Sequence, residues 1–544
     1  MIFKNLLNFI NSFFIFFKKK TRSLYLNSNI YDKKISSSYN SPLEYRPSPS
    51  LLNCLIKYEK KKINIENYSL NEVWINKKLN EKDFNNLNSF FWLFSLDLKS
   101  SKKNIHKVIL QWIEKNNKYN SKNWEVDIIA KRIIAWLSNS RITYEDSNNN
   151  YKERFNNIIK KQINHLINEM RVSKHVDDKI IGCSAIILTG LSYQNKGNYL
   201  DIGLNLLKKL VRLSFDNHGF PKSRNIRQLN FYLKYFVLIR EWFKESQTET
   251  PEFINENIYY LGQAYAFTWQ NNKKNLLFNG NHESDNINFD NYLKRFGYSF
   301  KSQNNELGGY AILNSKKISL VMDVGSSPEK KFSSNYQAGS LSFEIISSGK
   351  KLICNSGYFK NFNHQLNEVS KSSAAHSTLI LDDRSSCKFK KNSNSTSKIY
   401  EGLKIIKKDI IFEENYWKIN AAHDGYLKQY GILHEREVEF YPEQMKFIGH
   451  DKIISKNNTK DLKFEIRFHL EPNIKVMKTL DNKKILIDLD GEGWKFNCDS
   501  NTISIDNGLY FGKKNSFIYN QNLFISGMTN SENQTIKWEI TKLQ

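Results

Sequence analysis

No Cys-x-x-Cys pair occurs in the chain, and its five cysteines, Cys54, Cys183, Cys354, Cys387 and Cys498, stand far apart. An odd, scattered set argues against a disulfide framework and against a thiolate zinc site. No apolar run reaches the length of a comfortable membrane span. No internal repeat is sharp enough to count units. Acidic residues are in deficit: 55 Asp and Glu face 81 Lys and Arg, a net charge of +26. Such an excess suits an acidic partner, although richness in lysine, asparagine and isoleucine also fits an AT-rich coding bias, which lowers its weight. RNA-binding and helix-turn-helix signatures with interleaved aromatics are missing, so nucleic acid is not the expected partner.

What is present is apolar material for large cores. The 544 residues are 40% hydrophobic and 14% aromatic, which suits several domains and excludes wholesale disorder. Phe3, Leu6, Leu7, Ile10, Phe13, Phe14 and Phe17 recur at helical spacing and precede Lys18-Lys19-Lys20. That pattern predicts an amphipathic helix with peripheral membrane contact through residues 2–20. The alternative is a helix docked on its own protein, and the sequence leaves cleavage of the segment open. Residues 21–50, with Pro42, Pro47 and Pro49, read as a linker.

From about 70 to 270 the apolar period is helical. Ile129, Ile133, Trp136 and Leu137 mark one face, and Ile159, Ile163, Leu166, Ile167 and Met170 another. Short polar connections, Ser138-Asn139-Ser140 and Asn195-Lys196-Gly197, suggest antiparallel hairpins, in a ring or solenoid. Near residue 300 the period falls to two: Leu341, Phe343 and Ile345, then Leu379 and Leu381, then Phe464, Ile466 and Phe468, then Ile485, Ile487 and Leu489. Turn signals at Asp481-Asn482 and Asp490-Gly491 separate such runs, as an antiparallel sandwich requires. The expected fold class is therefore multidomain, α then β. It comprises an N-terminal helix and linker over 1–50, a helical domain over 51–300 and an antiparallel β-sandwich over 301–544.

Three stretches are more particular. Gly219-Phe220-Pro221-Lys222-Ser223-Arg224-Asn225 leads into a helix containing Gln228. Ala338-Gly339-Ser340-Leu341-Ser342-Phe343-Glu344 is followed by Cys354-Asn355-Ser356-Gly357-Tyr358. Ala374-Ala375-His376-Ser377-Thr378-Leu379-Ile380-Leu381-Asp382-Asp383 has Ala421-Ala422-His423-Asp424-Gly425-Tyr426 downstream. In this order the set resembles bacterial heparinase II/III-like proteins, a family of polysaccharide lyases, over roughly residues 120–470. The resemblance implies an (α/α) toroid followed by a β-sandwich, with an anionic glycan in a cleft between them.

Elimination across a uronic acid removes a weakly acidic proton beside its carboxylate. A donor must neutralise that carboxylate, and a Tyr or His must move protons. The resemblance points to Asn225 as the carboxylate ligand, with Gln228 one turn on as the alternative. Arg224 could grip a carboxylate or sulfate bidentately. The structural alternative for Arg224-Asn225 is a helix start capped by Asn225. Tyr260 is the catalytic tyrosine chosen from Tyr232, Tyr235, Tyr259, Tyr260 and Tyr265, expected near Asn225 and Asn335.

The sequence departs from the family at its β-domain motif. Relatives carry a His-x-His pair where this chain has Asn335-Tyr336-Gln337, so the catalytic position holds Asn335. Where relatives have a metal-ligating Asp it reads Asn355, leaving His376 as the one retained metal position. Neutral amides are poor zinc donors, so no cofactor is expected and the family zinc is expected to be lost. His376 then has a backbone hydrogen bond as its alternative role, and His423 and Asp424 read as turn residues. The Lys runs at 18–20, 60–62 and 407–408 read as solvated faces. The leading expectation is a lyase acting on an acidic polysaccharide in the cell envelope or periplasm, or at the cytoplasmic membrane surface. The competing one is a glycan-binding or envelope-assembly protein of the same fold without turnover.

Overall fold

The computed structural model describes residues 2–36, 42–53, 79–96, 102–173, 175–193, 198–270, 273–284, 286–361, 364–391, 397–456, 461–480, 484–498, 502–513, 516–530 and 532–543, without the side chains of 2–12 and 15. Cys54, Lys60–Lys62 and the turns at Asn195-Lys196-Gly197 and Asp481-Asn482 lie outside the described residues. The chain divides into two compact units. One comprises Met1–Leu213, Tyr232–Ile258 and Ile287–Gly297, the other Ser214–Phe231, Tyr259–Asn286 and Tyr298–Gln544. This partition is discontinuous, where the change of period suggested a single break near 300.

The first unit is helical among its described residues. Val126–Ser138 buries Ile129, Ile133, Trp136 and Leu137, and Asn149–Met170 buries Ile159, Ile163, Leu166 and Met170. These are the faces the 3.6-residue spacing predicts. The stretch read as a linker is partly helical: Ile2–Leu26 runs past the lysines, and Asn29–Ile35 follows. Ser28 caps that second helix by accepting from the Tyr31 N–H, and Tyr31 and Ile35 are buried. Burying those two apolar side chains outweighs the polar composition of their neighbours.

The second unit holds the strands. A five-stranded meander spans Glu306–Leu307, Tyr310–Asn314, Ile318–Asp323, Phe343–Ser347 and Lys350–Ile353. An eight-stranded sheet runs from Lys475–Lys478 at one edge to Ile405–Phe412 at the other, and Leu379–Leu381 edges a four-stranded sheet. Every pairing among the described strands is antiparallel. The three sheets share one core, in which Phe343 stacks on Trp538 at 5.3 Å between ring centres. Leu341, predicted in a strand, sits instead in a turn at φ 59°, its N–H bonded to the Asp323 carbonyl. The turn carries the chain from Gln337 into the Phe343–Ser347 strand.

Candidate active site

The site is built within the second unit from segments distant in sequence. The first is the hairpin from Ser214. The Asp216 carboxylate accepts from the His218 and Phe220 N–H groups at 2.9 and 2.8 Å, and Gly219 makes the turn at φ 73°. Only a residue lacking Cβ fits there, because a Cβ would lie 2.5 Å from that of Tyr260. The hairpin delivers Arg224 and Asn225 to the start of the Ile226–Glu245 helix.

Arg224 is not the substrate grip that the sequence suggested. Its backbone is left-handed at φ 59° and its side chain is buried. Nε donates to Gly308 O at 3.1 Å; Nη1 donates to Gly325 O at 3.0 Å and Ser326 O at 3.4 Å. Nη2 donates to Gly309 O at 2.9 Å and to the Asp323 carboxylate at 2.6 Å. All five guanidinium N–H groups are thereby spent on the protein. Tyr310 completes the lock, donating to Arg224 O at 2.6 Å with its ring against the guanidinium. Arg224 positions the segment and has no donor left for a carboxylate or sulfate.

Asn225 behaves differently. Its Oδ1 accepts from the N–H groups of Arg227 at 2.9 Å and Gln228 at 3.2 Å, so it is the N-cap of the helix. Capping fixes which end of the amide faces the helix. The other end, Nδ2, is buried and has no hydrogen-bond partner among the described residues. A buried donor left without an acceptor costs about 1–3 kcal/mol and calls for a ligand or water. Nδ2 faces Gly280, where a Cβ would come within 2.5 Å of it and within 2.7 Å of the Asn335 Cβ. Gly280 stands at φ 83°, so backbone alone separates the two asparagines. The Asn335 Oδ1 in turn accepts from the Tyr358 hydroxyl at 3.2 Å.

Tyr358 closes the Cys354-Asn355-Ser356-Gly357-Tyr358 motif, and nothing in the sequence sets it apart from the other tyrosines. Burial pushes its phenol up to about 12, with the Asn367 hydrogen bond and the Arg227 charge pulling the other way. Tyr260, the tyrosine expected here, is 38% exposed and packs against Tyr259. None of its described contacts reaches Asn225 or Asn335. The Gln228 Oε1 accepts from the Ser223 hydroxyl, which braces the cap.

The remaining positions test whether a metal fits. Gln337 Oε1 accepts from the Gly280 N–H at 2.9 Å, while Nε2 donates to Gly357 O at 3.0 Å and Ser370 O at 2.5 Å. Asn355 Oδ1 accepts from the Ser377 N–H at 3.0 Å, and Nδ2 approaches the Glu344 carboxylate at 3.4 Å. Among the described residues, no three His, Cys, Asp or Glu side chains are grouped to hold a metal ion. Two neutral amides already occupied by the backbone do not fit a zinc ion, which wants about four good donors.

The third position, His376, is buried with Nδ1 2.8 Å from Ser372 O. A carbonyl can only accept, so Nδ1 carries the proton and the backbone role foreseen for this residue holds. Burial lowers its imidazole to about 4. Burial, with the Arg467 and His376 charges, lowers that of His469 to about 3. In the unfolded chain both titrate near 6.5. Below that pH the unfolded state takes up protons that the folded state refuses, so stability is full above about 6.5 and is lost as pH falls toward 4 and below. Each histidine accounts for roughly 3 kcal/mol or more across that window. The urea midpoint is expected to fall steeply between about pH 6.5 and 4; a flat profile would contradict this assignment.

The family described as Heparinase II/III-like, C-terminal, matches residues 299–539. The fold is shared with the heparan sulfate lyase HepC of Pedobacter heparinus, in a mutant form, at 13% identity and TM-score 0.65, covering 89% of this chain and 79% of that one. It is shared with a heparinase III at 16% identity and TM-score 0.67, covering 89% and 80%. A second heparinase III, with methylated lysines, gives 13% identity and TM-score 0.68 over 91% and 83%. No curated protein sequence matches the chain. Helices followed by antiparallel sheets, as in heparinase III, are thus the architecture of this protein.

Proposed function

We propose that this protein binds a uronate-containing acidic polysaccharide, with Asn225 on the uronate carboxylate, and cleaves it by β-elimination. The observation that carries the reading is the unpartnered, buried Nδ2 of Asn225, held in orientation by the cap its own Oδ1 makes. A carboxylate oxygen accepting from Nδ2 would complete that group. It would also shift negative charge away from the adjacent carbon, making its proton easier to remove.

Tyr358 is the group for proton movement. A phenol held near 12 keeps its proton at neutral pH, which suits delivery to the leaving glycosidic oxygen. To act as base it must first lose that proton. Turnover through it is therefore slow, and climbs about tenfold per pH unit while the phenolate fraction limits it. A second reading, binding without turnover, is favoured by the amides at Asn335, Gln337 and Asn355. None of these can take a proton from carbon. In either case the glycan belongs to an envelope or exopolymer class of acidic polymer, in keeping with the +26 charge.

The deciding experiment offers a panel of acidic polysaccharides and follows the ultraviolet absorbance of unsaturated uronate ends, with calorimetric binding in parallel. Absorbance that rises faster at higher pH and disappears in Tyr358→Phe supports elimination. Tight binding with flat absorbance assigns the second reading. Failure to bind any uronate polymer would overturn both.

A further inference from the structure

The Ile2–Leu26 helix takes no part in the site just described, and its exposed surface is of an unusual kind. Phe13, Phe14, Phe16 and Phe17 are 58–67% exposed, and Leu24 and Tyr25 are exposed as well. At 100° per residue the four phenylalanines fall on one side of the helix. In the sequence the same helical spacing of apolar residues continues upstream through Phe3, Leu6, Leu7 and Ile10. An apolar stripe of this length on a water-exposed helix calls for an apolar environment.

The helix is fixed at its far end. Arg22 pairs with Glu169, and Tyr31 bonds His165 at 2.7 Å. Asp32 pairs with Lys161 at 2.7 Å, and Ile35 O accepts from Asn164 at 2.8 Å. All four contacts lie on the Asn149–Met170 helix. They hold the C-terminal part of the N-terminal segment while the phenylalanines stay exposed. Lys18, Lys19 and Lys20 are exposed next to those phenylalanines. No acidic residue precedes Asp32, whereas Lys4, Lys18, Lys19, Lys20 and Arg22 all do. No helix among the described residues is long and apolar enough to cross a membrane.

We propose that the Ile2–Leu26 helix lies in the surface of an anionic lipid bilayer, its phenylalanine face among the acyl chains and its lysines at the lipid headgroups. Apolar burial and charge attraction act together in such a helix, and either alone gives weak, reversible attachment. Charge decides between occupants of the stripe. A parallel second copy would set Lys18–Lys20 against their own counterparts, whereas an anionic lipid surface neutralises them. The attachment would hold the protein at a membrane while the rest of the chain meets its polymer.

The test uses the full chain and vesicles of phosphatidylcholine with or without phosphatidylglycerol, read by co-sedimentation. Partitioning is expected to be at least about tenfold stronger onto the anionic vesicles and to weaken with salt. F13S/F17S should lower it at least about tenfold with net charge unchanged, which separates the helix from the general basicity of the protein. K18Q/K19Q/K20Q should lower it and flatten its salt dependence. A single F14W substitution should shift its emission to the blue when anionic vesicles are added. All five residues replaced in the two multiple variants are exposed, so melting curves should superimpose on the parent's. Undiminished binding by F13S/F17S, or equal partitioning onto phosphatidylcholine alone, would overturn the proposal. So would a dimer in solution that dissolves in F13S/F17S while vesicles stay unbound, since the stripe would then belong to a second copy.

Discussion

Asn225→Asp should reduce turnover, or glycan affinity if there is no turnover, by about a hundredfold or more, the scale of losing one preorganised donor at a developing anion. Aspartate caps a helix as well as asparagine does, so the two bonds to Arg227 and Gln228 survive. The buried anionic oxygen that replaces Nδ2 should lower the melting temperature, so affinity is compared where the variant is still folded. What changes is the other half of the side chain. A donor becomes an anionic oxygen beneath Gly280, which would repel the carboxylate that the proposed site is to attract. Asn225→Ala is the less informative variant, because it also removes the cap, at about 0.5–2 kcal/mol. If Asn225→Asp binds and turns over like the parent, the carboxylate lies elsewhere and the proposed site is wrong.

Arg224→Met is expected to fail in a different way. It removes five donated bonds and leaves Asp323, 1% exposed, as a buried charge whose cationic partner is gone. Breaking a buried pair from one side costs about 3–5 kcal/mol. Loss of bonds to four backbone carbonyls moves the estimate toward the upper end. Urea unfolding should show it as a lower midpoint, and any glycan binding should weaken as the folded fraction falls and as Asn225 loses its positioning. Arg224→Met with Asp323→Asn should recover part of the loss, since the stranded charge is then absent. A single variant as stable as the parent would mean that the guanidinium is not the lock described.

The two variants mark where sequence was legible and where it was not. The cap at Asn225 could be read from local order, since a polar residue just before an apolar helical period is a cap signal, whereas its place in the site came only through the family resemblance. The change of period near 300 likewise announced strands, because one-sided burial imposes alternation wherever it occurs. Arg224 could not be read correctly, since its carbonyl acceptors at Gly308, Gly309, Gly325 and Ser326 lie 84 to 102 residues downstream. A lone arginine beside an asparagine looks the same in sequence whether it faces substrate or core. Tyr260 was one choice among 28 tyrosines. The signal that distinguishes Tyr358 is its bond to Asn335, which only folding creates. Gly280 has no periodic or motif signal in the sequence, and its importance rests on a positive φ and on two neighbours from other segments.

Gln337 has a consequence for how this corner of the protein is completed. Its amide ties Gly280, Gly357 and Ser370 together with three hydrogen bonds. A corner closed by an ion is finished only when the ion arrives, and it reopens in acid or in the presence of a chelator. A primary amide neither gains nor loses a proton across the physiological range, and nothing can be stripped from it. The knot forms as soon as the chain folds, whatever the metal content of the surroundings, and its three bonds are indifferent to acidification that charges the neighbouring imidazoles.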